Sequence, residues 1–100
     1  LDVFNHYKGS MPIAVGTGSD RQHAQMVLNE HGLLAQLSAL VTADDVTQGK
    51  PHPETFVRAA ELMGVAPQHC VVFEDTDMGR KAAVDGGMVC FMVDNTRLIY

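Results

Sequence analysis

One hundred residues, 46% hydrophobic and 19% charged, leave room for a single ordinary globular domain and read as neither low-complexity nor disordered. A formal net charge of −5, with basic residues scattered apart from the adjacent Arg80 and Lys81, excludes a surface built to hold nucleic acid. No apolar run approaches the ~20 residues of a membrane span and no stretch reads as a signal peptide, so a cytoplasmic protein with no membrane contact is expected.

Leu1-Asp2-Val3-Phe4-Asn5-His6-Tyr7-Lys8-Gly9 reads as the tail of a helix closed by glycine, so the sequence is expected to begin inside something larger. A first strand is predicted at 13–15. A helix follows in which Ala24, Val27, Leu28 and His31 recur at helical spacing until Gly32. A second strand is predicted at 40–42. The next helix repeats the spacing with Phe56, Ala59, Ala60 and Met63, stops at Gly64, and has Pro53 suited to its first position. A third strand at 71–73, a short helix at 78–84 ending at Gly86-Gly87, and a fourth strand at 89–93 complete the order. Strands alternating with helices predict βαβ units and a parallel sheet, and strands this apolar predict a sheet covered on both faces. Cys70 and Cys90 lie in apolar runs without Cys-x-x-Cys spacing, so two reduced, buried thiols are expected and neither zinc nor a redox pair. The six methionines are expected to fill the core. The histidines lack metal-ligand spacing; His31 is expected to pack or snorkel at a helix end and His52 to cap the helix that follows it.

Ligands of open parallel sheets bind beyond the carboxyl ends of the strands. Each of the first three strands runs into a polar segment there. Gly16-Thr17-Gly18-Ser19-Asp20 either lets the backbone approach an anion, with the Thr17 hydroxyl as donor, or forms a turn with Ser19 or Asp20 as helix cap. It is neither a dinucleotide fingerprint nor a P-loop. Lys50, stiffened by Pro51 and Pro53, either delivers a compact charge to a phosphate or is a surface lysine. Glu74-Asp75-Thr76-Asp77 either supplies oxygen ligands to magnesium or places acidic groups at a helix N-terminus.

Taken together in this order, the three strand ends and the tail running from Glu74-Asp75-Thr76-Asp77-Met78-Gly79 through Ala82-Ala83 to Gly86-Gly87-Met88 resemble the haloacid dehalogenase-like superfamily. The likeness is to its branch of β-phosphoglucomutases and small sugar-phosphate phosphatases, and it covers residues 12–94. It implies a three-layer Rossmann-like α/β parallel sheet, of which residues 1–100 form the C-terminal part of the core domain. It also implies that Thr17 hydrogen-bonds the transferring phosphoryl group and that Gly18 adds a backbone N–H. Lys50 would offset charge on nucleophile and phosphate, and Glu74 and Asp75 would hold Mg²⁺ directly or through water. Asp77 falls at a variable position. The family's first motif, Asp-x-Asp-Gly-Thr/Val, is absent, and with it the nucleophile, the strand between those at 13–15 and 71–73, and the cap. The resemblance therefore implies a fragment, inactive by itself, of a magnesium-dependent phosphatase acting on small sugar phosphates through an aspartyl-phosphate. Its partners would be a phosphorylated metabolite and the missing N-terminal segment. A phosphomutase of the same fold and a non-catalytic α/β binding module are the alternatives.

Overall fold

The computed structural model describes residues 11–93; the expected helix tail at 1–9 lies outside them. Among the described residues, four strands alternate with three α-helices: β1 (Ala14–Gly16), α1 (Arg21–Glu30), β2 (Ala39–Val41), α2 (Glu54–Met63), β3 (Val71–Glu74), α3 (Asp77–Asp85) and β4 (Val89–Met92). Single 3₁₀ turns at Leu34–Gln36, Ala43–Asp45 and Pro67–His69 lie in the connections. Three residues are too few to carry a hydrophobic period, which is why spacing gave no sign of them.

Local chemistry sets the ends of these elements. Asp20 caps α1, its Oδ1 accepting from the His23 N–H at 2.8 Å. β2 stops one residue earlier than read, because Thr42 leaves the ladder to cap the next turn. Its N–H and hydroxyl both donate to Asp45 Oδ2, at 2.8 and 2.9 Å. α2 starts one residue after Pro53, and His52 Nδ1 accepts from the Glu54 N–H at 3.1 Å, the capping role expected of it. Thr76 caps α3 by accepting from the Gly79 N–H at 3.0 Å.

Among the described residues every ladder is parallel. β1 pairs with β2, Val15 opposite Leu40, and β3 pairs with β4, Val72 opposite Cys90. Among the described residues no ladder joins the two pairs. α2 packs across β1, β2 and α3, while α3 packs on β3 and β4. The core lies beneath them, built from Phe56, Ala60, Cys70, Ala82, Ala83 and Met88, with Val72 and Cys90 against it.

Three expectations need correction. The sheet is not covered on both faces by the described residues: Val71, Val89 and Phe91 point away from the core and stay about half exposed. Neighbours in register share a face, so Val72 and Cys90 turn inward while those three turn outward. Met88 is buried and Met63 partly so, but Met11, Met26, Met78 and Met92 are exposed. Met26 stands two positions beyond buried Ala24, roughly 200° round the helix. Cys70 is buried, whereas Cys90 is only half-buried.

Ala82 has no accessible surface at the contact between α3 and the sheet. Ala82→Leu is expected to cost about 1–3 kcal/mol through overpacking. Urea unfolding should show a lower midpoint with unchanged slope, while Val84→Leu on the exposed side should change stability by less than about 0.5 kcal/mol.

Candidate active site

The carboxyl ends of β1 and β3 and the loop of residues 46–53 meet at Lys50. Its ammonium donates to the Gly16 carbonyl at 3.2 Å and to Glu74 Oε2 at 3.3 Å. It also lies 4.7 Å from the centroid of the Phe56 ring, close enough for a cation–π contact. The side chains of Lys50 and Glu74 are only 18% and 11% exposed, so this is a largely desolvated ion pair rather than a surface one.

Glu74 is satisfied on its other oxygen. Oε1 accepts from the Asp75 N–H at 3.2 Å and from the Thr76 hydroxyl at 3.1 Å. Burial by itself would raise the pKa of this carboxyl. The Lys50 charge and the hydrogen bonds from Lys50, Asp75 and Thr76 outweigh it and hold the group below its usual range.

Two glycines make these approaches possible. A Cβ on Gly16 would come within 2.8 Å of Thr55 Cγ2 and 3.2 Å of the Phe56 ring, so its absence lets α2 pack against the end of β1. A Cβ on Gly79 would overlap the Glu74 carboxyl carbon, so the start of α3 holds the carboxylate only because that residue is glycine.

Around this centre, Thr17 donates its N–H to the Val41 carbonyl at 2.9 Å, which prolongs the β1–β2 ladder. Its Oγ1 accepts from the Ser19 N–H at 3.1 Å and borders a hollow of about 160 Å³ with Val15, Ser19 and His23. Gly18 is exposed, with open space about its Cα. Asp75 is exposed beside Glu74, and Asp77 opens the first turn of α3. Arg21 braces the neighbouring loop: its N–H donates to Asp44 Oδ2 at 2.8 Å, and its guanidinium reaches the Leu40 carbonyl at 3.1 Å and the Asp45 carboxylate.

The structure thus brings together Lys50 and Glu74, with Thr17 following Gly16 and Asp75 following Glu74 in the chain. Among the described residues, no three acidic, histidine or cysteine side chains converge as a metal-binding group. Sequence reasoning missed the Gly16 carbonyl, the Phe56 ring and Gly79 as parts of this arrangement. Only Gly79 left a usable signal, standing three residues after a Thr that caps a helix.

A protein-family model described as haloacid dehalogenase-like hydrolase matches residues 1–87. The chain belongs to the haloacid dehalogenase-like hydrolases. Fructose-1-phosphate phosphatase YqaB of Escherichia coli is 47% identical over 88 residues, covering 88% of this chain and 47% of that protein. Validoxylamine A 7'-phosphate phosphatase of Streptomyces hygroscopicus subsp. limoneus is 38% identical over 86 residues, covering 86% of this chain and 40% of that protein. Among solved structures, β-phosphoglucomutase from Clostridium difficile superposes with a TM-score of 0.83 at 25% identity, over 99% of this chain and 50% of that one. The chain spans about half the length of the curated relatives it matches. The parallel α/β architecture is therefore part of the Rossmann-like core of this family. Among the described residues no helix is long and apolar enough to cross a membrane.

Because the folded state releases the Glu74 proton more readily than the unfolded chain, this group adds stability that is complete above the unfolded pKa. That stability is lost as pH falls through the lower folded value. Urea unfolding is accordingly expected to show Glu74-linked destabilisation only below the ordinary glutamate value of 4.5. In Lys50→Met, burial acts without the opposing ammonium, and the dependence should move to higher pH. Gly79→Ala should displace the Glu74 carboxylate from Lys50, seen as an upward shift of its titration in carboxyl ¹³C NMR.

Proposed function

We propose that these residues are the phosphate-neutralising part of a sugar-phosphate phosphatase active site. The observation that carries this reading is the largely buried Lys50 side chain, its ammonium held at the carboxyl ends of β1 and β3 between the Gly16 carbonyl and Glu74. A cation fixed there is poised to share its charge between a carboxylate and a phosphoryl oxygen. The Thr17 hydroxyl and the Gly18 N–H follow directly after Gly16 and would hydrogen-bond the remaining phosphoryl oxygens. The names of the E. coli and Streptomyces relatives support a small phosphorylated sugar-like substrate.

Glu74 and Asp75 are hard oxygen donors, and Asp75 is exposed and outside the Lys50 pair. Magnesium takes one or two carboxylates and fills its octahedron with water and substrate phosphate, so this pair fits it as part of a ligand set. Bound there, Mg²⁺ would offset negative charge on the phosphoryl group. Lys50 meanwhile keeps Glu74 ionised and correctly turned.

The nucleophile in this proposal is an aspartate outside this chain, on a strand running between β1 and β3. The separation of the two strand pairs supports that placement, as does the greater length of the relatives. Its carboxylate oxygen attacks phosphorus as the bond to the sugar oxygen breaks. Water then attacks the aspartyl-phosphate, releasing phosphate and restoring the carboxylate.

The test uses the full-length protein with a panel of sugar phosphates, fructose 1-phosphate among them, with Mg²⁺ and with chelator. Chelator-sensitive phosphate release is expected. Asp75→Ala should abolish it, and Lys50→Ala should lower kcat/KM by about 10²–10³. Unchanged turnover in Asp75→Ala would remove that residue from the site. Transfer of phosphate to a second sugar hydroxyl would make the enzyme a mutase, and magnesium binding without turnover would make it a binding module. The 100-residue chain alone should release nothing.

A further inference from the structure

Lys50 sits on an exposed excursion: Thr47, Gln48 and Gly49 before it and Pro51 and His52 after it all face solvent, while Lys50 itself is half-buried. A loop of this kind does not place an ammonium between two fixed acceptors unless something fixes its base. Glu54, the first residue of α2, closes it. Oε2 accepts from the Thr47 N–H at 3.0 Å, and Oε1 accepts from the Thr47 hydroxyl at 2.8 Å and from the Gln48 N–H at 3.1 Å. One carboxylate thus gathers three donors from the strand-side end of the loop onto the helix that begins its other end. The Glu54 N–H is spent on His52 Nδ1 at 3.1 Å, so this residue grips the loop at both of its ends.

We infer that Glu54 is a positioning residue whose carboxylate clasps the loop of residues 46–53 shut and so delivers the Lys50 ammonium to Gly16 and Glu74. The clasp rests on hydrogen bonds seen in the fold; its catalytic consequence rests on the phosphatase reading above. A carboxylate at a helix N-terminus also has a plain dipole role, and side-chain length separates the two. Aspartate keeps the charge at the start of α2 but is one methylene too short to reach Thr47 and Gln48.

The experiment measures acetic anhydride labelling of Lys50 by mass spectrometry in the full-length protein, with exposed Lys81 as internal reference. The variants are Glu54→Asp, Glu54→Ala, Thr47→Val, and Arg58→Gly as a control that weakens α2 at an exposed position. Labelling of Lys50 relative to Lys81 is expected to rise several-fold in both Glu54 variants, to rise less in Thr47→Val, and to stay unchanged in Arg58→Gly. kcat/KM should fall by about tenfold or more in Glu54→Asp while its melting temperature stays near that of the wild type. If Glu54→Ala does not fold, Glu54→Asp and Thr47→Val carry the test. An unchanged labelling ratio in folded Glu54→Asp would overturn the clasp. A raised ratio in a protein that hydrolyses no phosphate ester would leave the clasp standing and sink the phosphatase reading instead.

Discussion

A lysine whose side chain is largely removed from water needs its charge compensated, and the arrangement of this chain around Lys50 follows from that need. Its two acceptors come from different strand pairs, a backbone carbonyl at the end of β1 and a carboxylate at the end of β3. The side chain therefore bridges two pieces of sheet that no ladder joins among the described residues. Desolvating both charges is costly, and the pair persists because each partner has further contacts: the Phe56 ring beside the ammonium, and Asp75 and Thr76 donating to the carboxylate.

The same residues that make the core also shape this site. Phe56 is a buried member of the cluster under the sheet and at the same time the aromatic face beside Lys50. Thr55 and Phe56 reach the end of β1 only because Gly16 lacks a Cβ, and α3 begins against Glu74 only because Gly79 does. Packing of α2 and α3 and placement of the two charged groups are thus one problem, so a substitution that loosens either helix start reaches the ion pair as well.

Membership of the haloacid dehalogenase-like hydrolases places this arrangement in a family whose named relatives include phosphatases of sugar-like phosphates. On the proposed phosphatase reading, what the chain contributes is electrostatic. It supplies a fixed cation, a hydroxyl, an open backbone loop and two carboxylates at the mouth of a parallel sheet. In phosphoryl transfer, positioning and charge compensation account for most of the catalysis a protein can provide, so on the proposed reading these groups would carry much of the chemistry.

The order of elements was legible from the sequence because helical recurrences such as Phe56, Ala59, Ala60 and Met63 and short β-branched runs have periods that survive without a structure. The residues after each strand were legible as well, since glycines, a lysine before proline and clustered acids are chemically conspicuous at predicted strand ends. Partnership was not. That Lys50 pairs with Glu74 and the Gly16 carbonyl depends on separations of 24 and 34 residues, which no local pattern encodes. Nor did composition tell exposed Met26 and Phe91 from buried Met88, because the face a side chain occupies is decided by what packs opposite it. Local periodicity and residue chemistry lie in the sequence itself, whereas long-range contact and burial arise only when the chain closes on itself in three dimensions.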